Sequence, residues 1–175
     1  MSPEERQIDG HGDAVRYQLR QAMVSIGDDF WIENSRGERT FKVDGKALRV
    51  RRTLMFEDAH GQTLCTIQER MLRVRKTMVI ESPNGEHLAT ITKALITPLR
   101  EHFTVTIAGG PDLDVQGNIV NHEYTITEDR TTVADISKRW FRLRDTYGVE
   151  ITPGQNDVLI LAITVCVDVM THGGR

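Results

Sequence analysis

The sequence predicts a mostly β fold, a closed antiparallel barrel of about twelve strands wrapped around one hydrophobic C-terminal helix. Three observations predict it: an internal repeat of about 24 residues, apolar strand-like segments within each repeat, and the apolar run VLILAITVCVDVM near the C-terminus. The chain has 175 residues, a formal net charge of −3 and 27% charged residues. This length and composition are typical of one soluble domain with a single core.

The clearest part of the repeat predicts β-hairpins. The segments FWIENSRGER, LMFEDAHGQT and MVIESPNGEH each place three apolar residues before a glutamate and a glycine four residues after it. A short apolar strand, a polar turn with a late glycine and a second apolar strand are typical of a hairpin. The repeated positions are Glu33, Glu57 and Glu81, followed by Gly37, Gly61 and Gly85.

The segments between hairpins repeat as well. KALRVRR, RMLRVRK, KALITPLR and KRWFRLRD share one pattern, with weaker copies in QAMVSIGDD and QGNIVNHEY. Their aligned apolar positions are Val24, Leu48, Leu72, Leu95, Ile119 and Phe141. Six hairpin-like units predict about a dozen antiparallel strands, which close into a barrel more readily than they form an open sheet. A barrel of that size is too wide for strand side chains alone to fill.

The apolar run at residues 158–170 is the segment that we expect to fill the barrel interior. It is shorter than the roughly 20 residues that a membrane-spanning helix needs. Its β-branched residues favour a strand, but the run is longer than most strands. Its polar neighbours Asp157, Thr164, Asp168 and Thr171 also fall on one line of a helix. We therefore predict a helix from about 157 to 172 that is buried in the barrel rather than a membrane anchor.

Asp168 is the one charged residue within this run. Because Thr171, His172 and two glycines follow, we expect the helix to end at the barrel mouth with Asp168 in water. The alternative is that Asp168 is buried and fixes the rotation of the helix by pairing with an inward donor from a strand, since a lone buried charge is very unfavourable.

The remaining bulk features concern the N-terminus and the cysteines. Residues 1–15 are polar and lack the apolar stretch of a signal peptide, so we expect a flexible arm before a barrel domain at 16–175. Cys65 lies in a repeat strand and Cys166 in the helix, which favours two buried free thiols in a reducing compartment. The expected location is cytoplasmic.

A family resemblance is carried by SIGDDFWIENSRGE, FKVDGKAL, VNHEYTIT, DISKRWFRLRDTYGVEI and DVLILAITVCVD. In this order and spacing, from about Tyr17 to Met170, the chain resembles the LURP-one-related family of the tubby C-terminal-like superfamily, which phospholipid scramblases also resemble. The resemblance implies a closed barrel around a hydrophobic C-terminal helix. It implies no catalytic residues. Tubby domains bind phosphoinositides, but their lipid-binding residues match no motif here, so none is transferred.

The sequence contains no recognisable catalytic constellation. There is no HExxH, CxxC, P-loop or GxGxxG motif, and the histidines are scattered. In DGHGD, His11 could hold a metal weakly, but a solvated chain start is the plainer interpretation. His122, Glu123 and Tyr124 are expected in one strand, where neighbours point to opposite faces and form no local dyad. We predict a non-enzymatic protein with no metal site and no cofactor.

Positive charge is concentrated in the segments between hairpins, which hold 14 of the 22 lysines and arginines. Arginines alternate there with apolar residues, which predicts that the apolar side chains point inward and the arginines outward. The planar guanidinium suits phosphate. The candidate anion or lipid site is Arg49, Arg51, Arg73, Arg75, Arg142 and Arg144.

Two interpretations of these basic strands remain open. Cross-strand arginine–glutamate ladders on a solvated face are the more common use of such residues. The functional interpretation is docking to an anionic membrane surface or a phosphoinositide-like ligand. Nucleic acid is not expected, because aromatic residues are only 6%. We predict a binding or scaffolding module, peripheral at the membrane, with an unidentified protein partner; the alternatives are scramblase-like lipid handling and an uncharacterised enzyme.

Overall fold

In a computed structural model, the described residues are 13–20, 29–45, 53–72, 75–94, 101–140 and 146–172, with backbone only for Arg20, Met71, Leu72 and Arg75. Most of the predicted arm, residues 1–12, lies outside them, as does His11. The strands are β1 Val15–Arg20, β2 Phe30–Asn34, β3 Arg39–Asp44, β4 Thr53–Asp58, β5 Thr63–Leu72, β6 Arg75–Glu81, β7 His87–Lys93, β8 Glu101–Ile107, β9 Leu113–Asn118, β10 Glu123–Glu128, β11 Thr131–Ser137 and β12 Thr146–Ile151.

The strands close into one antiparallel barrel. Each strand pairs with its neighbours in chain order, and β1 pairs with both β2 and β12 to complete the ring. The prediction of a closed barrel of about twelve strands around a C-terminal helix is confirmed. Closure leaves no free sheet edge among the described strands, which removes the edges through which β-sheets aggregate.

The hairpin repeat has a structural cause in its turns. The three repeated glycines have left-handed φ angles of 77°, 83° and 81°, a region that glycine adopts without the steric penalty other residues have. In the second turn the Gly61 amide donates to the Asp58 carbonyl at 3.1 Å, and the Asp58 amide donates to the Gln62 carbonyl at 2.9 Å. The strand register shifts at each repeated glutamate, immediately before the turn. The 24-residue period thus marks a turn and its adjoining bulge.

The helix α1, Asp157–His172, runs through the barrel. All of its residues from 160 to 170 are buried. At its first turn Asn156 accepts a hydrogen bond from the Leu159 amide at 3.1 Å, and Tyr17 on β1 donates its hydroxyl to Asp157 at 2.7 Å. The helix therefore forms the core of the barrel, and no helix among the described residues has the length and apolar composition needed to cross a bilayer.

The strand directions give the barrel two distinct ends. The turn end carries the connections 35–38, 59–62, 82–86, 108–112 and 129–130, and α1 starts there after residues 152–156. At the other end, called the linker end, the strands stop or start on either side of sequence segments 21–29, 45–52, 73–74, 94–100, 119–122 and 138–145, and α1 ends there. The first and last residues of α1 therefore lie at opposite ends of the barrel.

The two cysteines lie in the core as free thiols, as predicted. Cys65 is on β5 and Cys166 is on the helix. Burial raises the pKa of the Cys65 thiol to about 12, and burial raises the pKa of Cys166 well above its ordinary value. Both side chains therefore stay protonated and pack as small apolar groups.

Candidate functional site

A buried polar cluster lies at the linker end, where α1 meets the connection between β9 and β10. That connection is a single 3-10 turn, η1 Ile119–Asn121, and His122 follows it with a left-handed φ of 53°. Gly117 allows the chain to approach β10 closely here, because a Cβ at this position would lie 2.7 Å from the Glu123 carbonyl oxygen. This local geometry aims the His122 side chain into the barrel.

The expectation that Asp168 lies in water at the mouth was wrong. Asp168 is 2% exposed, and its carboxylate contacts two histidines. The alternative, a buried and paired Asp168, describes the residue better. Its inward donor, however, follows a 3-10 turn and does not lie in a strand. The physical reason is that a carboxylate inside a closed barrel cannot be hydrated, so it has to be neutralised by neighbouring groups.

The two histidine side chains converge on one oxygen of the Asp168 carboxylate. His122 Nε2 lies 2.7 Å from Asp168 Oδ1, and His172 Nδ1 lies 3.1 Å from the same oxygen. The other nitrogen of His172, Nε2, lies 3.3 Å from the Val120 carbonyl oxygen. Helix geometry brings His172 to Asp168, because residues four apart are neighbours on one helical face. The earlier interpretation of the histidines as scattered was incomplete, since two of the six meet here.

Aromatic rings enclose the cluster. His122 stacks on Tyr147 with ring centroids 4.2 Å apart, and on its other side it stacks on His172 at 4.9 Å. Tyr124 and Tyr147 are both buried, and burial raises the pKa of each hydroxyl well above its ordinary value, with a further contribution from the nearby Asp168 charge. The tyrosines therefore remain neutral beside the carboxylate.

The hydrogen bonds define the protonation of His172. A neutral imidazole carries one N–H, yet Nε2 faces a carbonyl oxygen and Nδ1 faces a carboxylate oxygen, so both need a proton. The hydrogen bond to Asp168 raises the pKa of His172 above its ordinary value. His172 thus carries a proton on both ring nitrogens and pairs with Asp168, and His122 Nε2 donates to the same carboxylate oxygen.

The cluster is sealed on the barrel side and open at one edge. The side chains of His122 and Asp168 are each 1% exposed, whereas that of His172 is 28% exposed. Four buried atoms of the cluster and its enclosing tyrosines have no hydrogen-bond partner within the described residues, namely His122 Nδ1, Asp168 Oδ2 and the hydroxyl oxygens of Tyr124 and Tyr147. The arrangement both fixes the end of α1 and presents three metal-ligating groups whose ligand atoms lie within 4.8 Å of one another.

The predicted anion-site residues lie almost entirely outside the part of the chain that the structure describes. Arg49, Arg51, Arg73, Arg142 and Arg144 lie outside the described residues, and only the backbone of Arg75 is described, in β6. The structure therefore does not bring these six side chains together or separate them. Their grouping stays a prediction.

Other basic residues of the same segments are described, and they pair with carboxylates on neighbouring strands. Arg70 lies 2.7 Å from Glu81, Lys76 lies 3.1 Å from Glu69, and Lys93 forms an ion pair with Glu101. These contacts join adjacent strands across the barrel surface. Cross-strand ladders thus account for this described part of the basic set, and the arginines outside the described residues stay candidates.

Sequence comparison with protein families now settles the relationship. The LURP-one-related family profile matches residues 15–168, nearly the whole chain. The chain belongs to the LURP-one-related family. A protein of Arabidopsis thaliana whose structure was solved by X-ray crystallography has a similar fold, with a TM-score of 0.69 and 15% identity over 91% of this chain and 93% of that chain. No curated protein sequence matches this LURP-one-related chain.

Proposed function

We propose that this LURP-one-related protein is a non-enzymatic binding module whose linker end docks on anionic phospholipid. The residues that carry the proposal are Arg49, Arg51, Arg73, Arg75, Arg142 and Arg144. The expected location is cytoplasmic and peripheral at the membrane. Docked there, the module would act as a scaffold for an unidentified protein partner.

The proposal is supported by the unequal charge of the sequence segments that join the strands at the two barrel ends. The connections at the linker end contain ten basic residues against three acidic ones, whereas those at the turn end contain two against four. The ten are Lys46, Arg49, Arg51, Arg52, Arg73, Arg100, Lys138, Arg139, Arg142 and Arg144. A field of one sign at one end orients a protein toward an anionic surface, with about 1 kcal/mol for each basic residue near the lipid.

The packed interior supports a surface role. The helix residues from 160 to 170 are buried against inward side chains of the strands, so the described part of the barrel interior is a packed hydrophobic core. Phosphate recognition by arginine needs exposed guanidinium groups and no internal cavity. The ends and outer face of the barrel are therefore the surfaces left for recognition.

Vesicle co-sedimentation tests the proposal with the full chain. Vesicles of phosphatidylcholine alone are compared with vesicles that also contain phosphatidylserine or a phosphoinositide, each at low and high salt, and inorganic phosphate is added as a competitor. We expect binding to anionic vesicles only, weakened by salt. The double reversal Arg73→Glu/Arg75→Glu should weaken it by about 2 kcal/mol or more, roughly thirtyfold.

The matched control is Arg36→Glu/Arg130→Glu, which makes the same change in net charge at the turn end. It should leave vesicle binding nearly unchanged, and both variants should melt within a few degrees of the parent because exposed charges contribute little to stability. The proposal would be contradicted if the parent protein did not bind anionic vesicles at low salt. It would also be contradicted if the control variant lost as much binding as Arg73→Glu/Arg75→Glu.

A further inference from the structure

We propose that His122, Asp168 and His172 form a binding site for a divalent transition-metal ion of the zinc type at the linker end of the barrel. The site is independent of the proposed lipid docking. It uses a helix residue near the end of α1, the helix's last residue and the residue after the 3-10 turn, and it lies within the described part of the chain.

The donor set selects the class of metal. Two imidazole nitrogens and one carboxylate oxygen are the ligands of three-residue zinc sites, which keep a fourth position for water. Imidazole also suits cobalt, nickel and copper, whereas calcium and magnesium take oxygen ligands almost throughout. The cluster therefore favours a zinc-type ion over an alkaline-earth ion.

The separations come close to those of a metal site. The nitrogens of His122 and His172 lie 2.7 Å and 3.1 Å from the shared Asp168 oxygen. Ligand atoms around a tetrahedral zinc ion are about 3.3 Å apart, because each bond is about 2.0–2.1 Å long. The two histidines would have to move outward by about 0.6 and 0.2 Å. The larger shift concerns the buried pair of His122 and Asp168, and the smaller one concerns His172 at the open edge of the cluster.

The orientation of His172 is the one that a metal ligand requires. Its Nε2–H donates to the Val120 carbonyl, and Nδ1 points at Asp168. Ligating histidines nearly always donate their second ring N–H to a carbonyl or carboxylate, which fixes the ring. A metal ion bound between Nδ1 and Asp168 would therefore find the ring already in place.

An unpartnered carboxylate oxygen is a second, independent observation in favour of a cation site. Asp168 Oδ2 is buried and accepts no hydrogen bond from the described residues, although the side chain is 1% exposed. Buried carboxylate oxygens are nearly always paired, since an isolated one is strongly unfavourable. A metal ion beside Asp168 satisfies this oxygen directly or through its bound water, and it ties the end of α1 to the 3-10 turn.

The test uses the full, tag-free chain after EDTA treatment, with zinc chloride as the only added ligand. Equilibrium dialysis with metal analysis should give one zinc ion per chain, and calorimetry should give the affinity. Cobalt should produce the visible absorption of a low-coordinate site with nitrogen and oxygen ligands. Zinc should also raise the melting temperature, because it binds the folded state only.

Two variants decide the assignment. His172→Gln removes the most exposed ligand, and it should weaken zinc binding at least about tenfold and abolish the thermal shift. His102→Gln is the matched control, because His102 forms a similar pair with Asp114 at 3.0 Å but belongs to no three-ligand group among the described residues. A parent without stoichiometric zinc, binding that survives His172→Gln, or equal loss in His102→Gln would overturn the site.

Discussion

The turn end and the linker end of the barrel are held by different kinds of contact. At the turn end the three repeated hairpin turns close on themselves: in the second, Asp58 accepts hydrogen bonds from the amides of His60 and Gln62, all within five residues. At the linker end His122 contacts Asp168 from 46 positions away, and Val120 contacts His172 from 52 positions away. Local contacts repeat along the chain, whereas long-range contacts occur once and build the candidate site.

The largest difference between the ends should come from two glycines. A Cβ at Gly117 would meet backbone atoms of Glu123 and Tyr124 at 2.7 Å, whereas a Cβ at Gly61 would meet nothing within 4 Å. Both residues have a positive φ, so alanine is strained at either. We expect Gly61→Ala to lower the free energy of unfolding by about 1 kcal/mol and Gly117→Ala by about 3 kcal/mol or more.

Urea unfolding of both variants measures this difference. The same loss at the two positions would mean that the close approach of β9 and β10 adds nothing to stability beyond the strain of a positive φ. A larger loss at Gly117 would show that the linker end depends on a contact which the repeat does not contain.

The turn end could be predicted from the sequence because local residues determine it. A glycine four residues after a repeated glutamate specifies a left-handed position and a tight hairpin, whatever the rest of the chain does. The buried helix could also be predicted, since an apolar run too short for a membrane has to be enclosed by protein. Closure of the barrel then followed from the number of repeats.

The buried cluster could not be predicted, because its members meet only after the barrel closes. Asp168 and His172 are four apart on the helix, and this spacing was visible, but the polar residues after Asp168 were interpreted as an end open to water. His122 was placed in a strand, whereas it caps a 3-10 turn with a left-handed φ. One signal was available: a single carboxylate in an apolar helix requires a partner somewhere.

A smaller contrast concerns pH, and it should be measured with EDTA present. The hydrogen bond with Asp168 raises the pKa of His172, so its stabilisation is complete below about pH 6.5 and is lost as pH rises through the folded-state value. The backbone amides of Gln62 and His60 lower the pKa of Asp58, so its stabilisation is complete above about pH 4 and is lost in acid.

The free energy of unfolding should therefore fall as pH rises above about 6.5, because of His172 at the linker end. It should also fall as pH drops below about 4, because of Asp58 at the turn end. The slope from His172 stays below about 1.4 kcal/mol per pH unit, the limit for one proton. His172→Gln should flatten the curve above pH 6.5 only, and Asp58→Asn should flatten it below pH 4 only. A parent-like slope in His172→Gln would contradict the assigned imidazolium.

The most direct test of the account is a pair of double-mutant cycles, one at each end of α1. The first combines His122→Ala with Asp168→Asn, and the second combines Tyr17→Phe with Asp157→Asn, whose side chains lie 2.7 Å apart at the turn end. We expect Asp168→Asn alone to lower the free energy of unfolding by about 2 kcal/mol or more, with a coupling of similar size to His122. The Tyr17–Asp157 coupling should be about 1 kcal/mol or less. A loss below about 0.5 kcal/mol for Asp168→Asn, with no coupling to His122, would contradict the claim that a buried polar cluster holds the helix at the linker end.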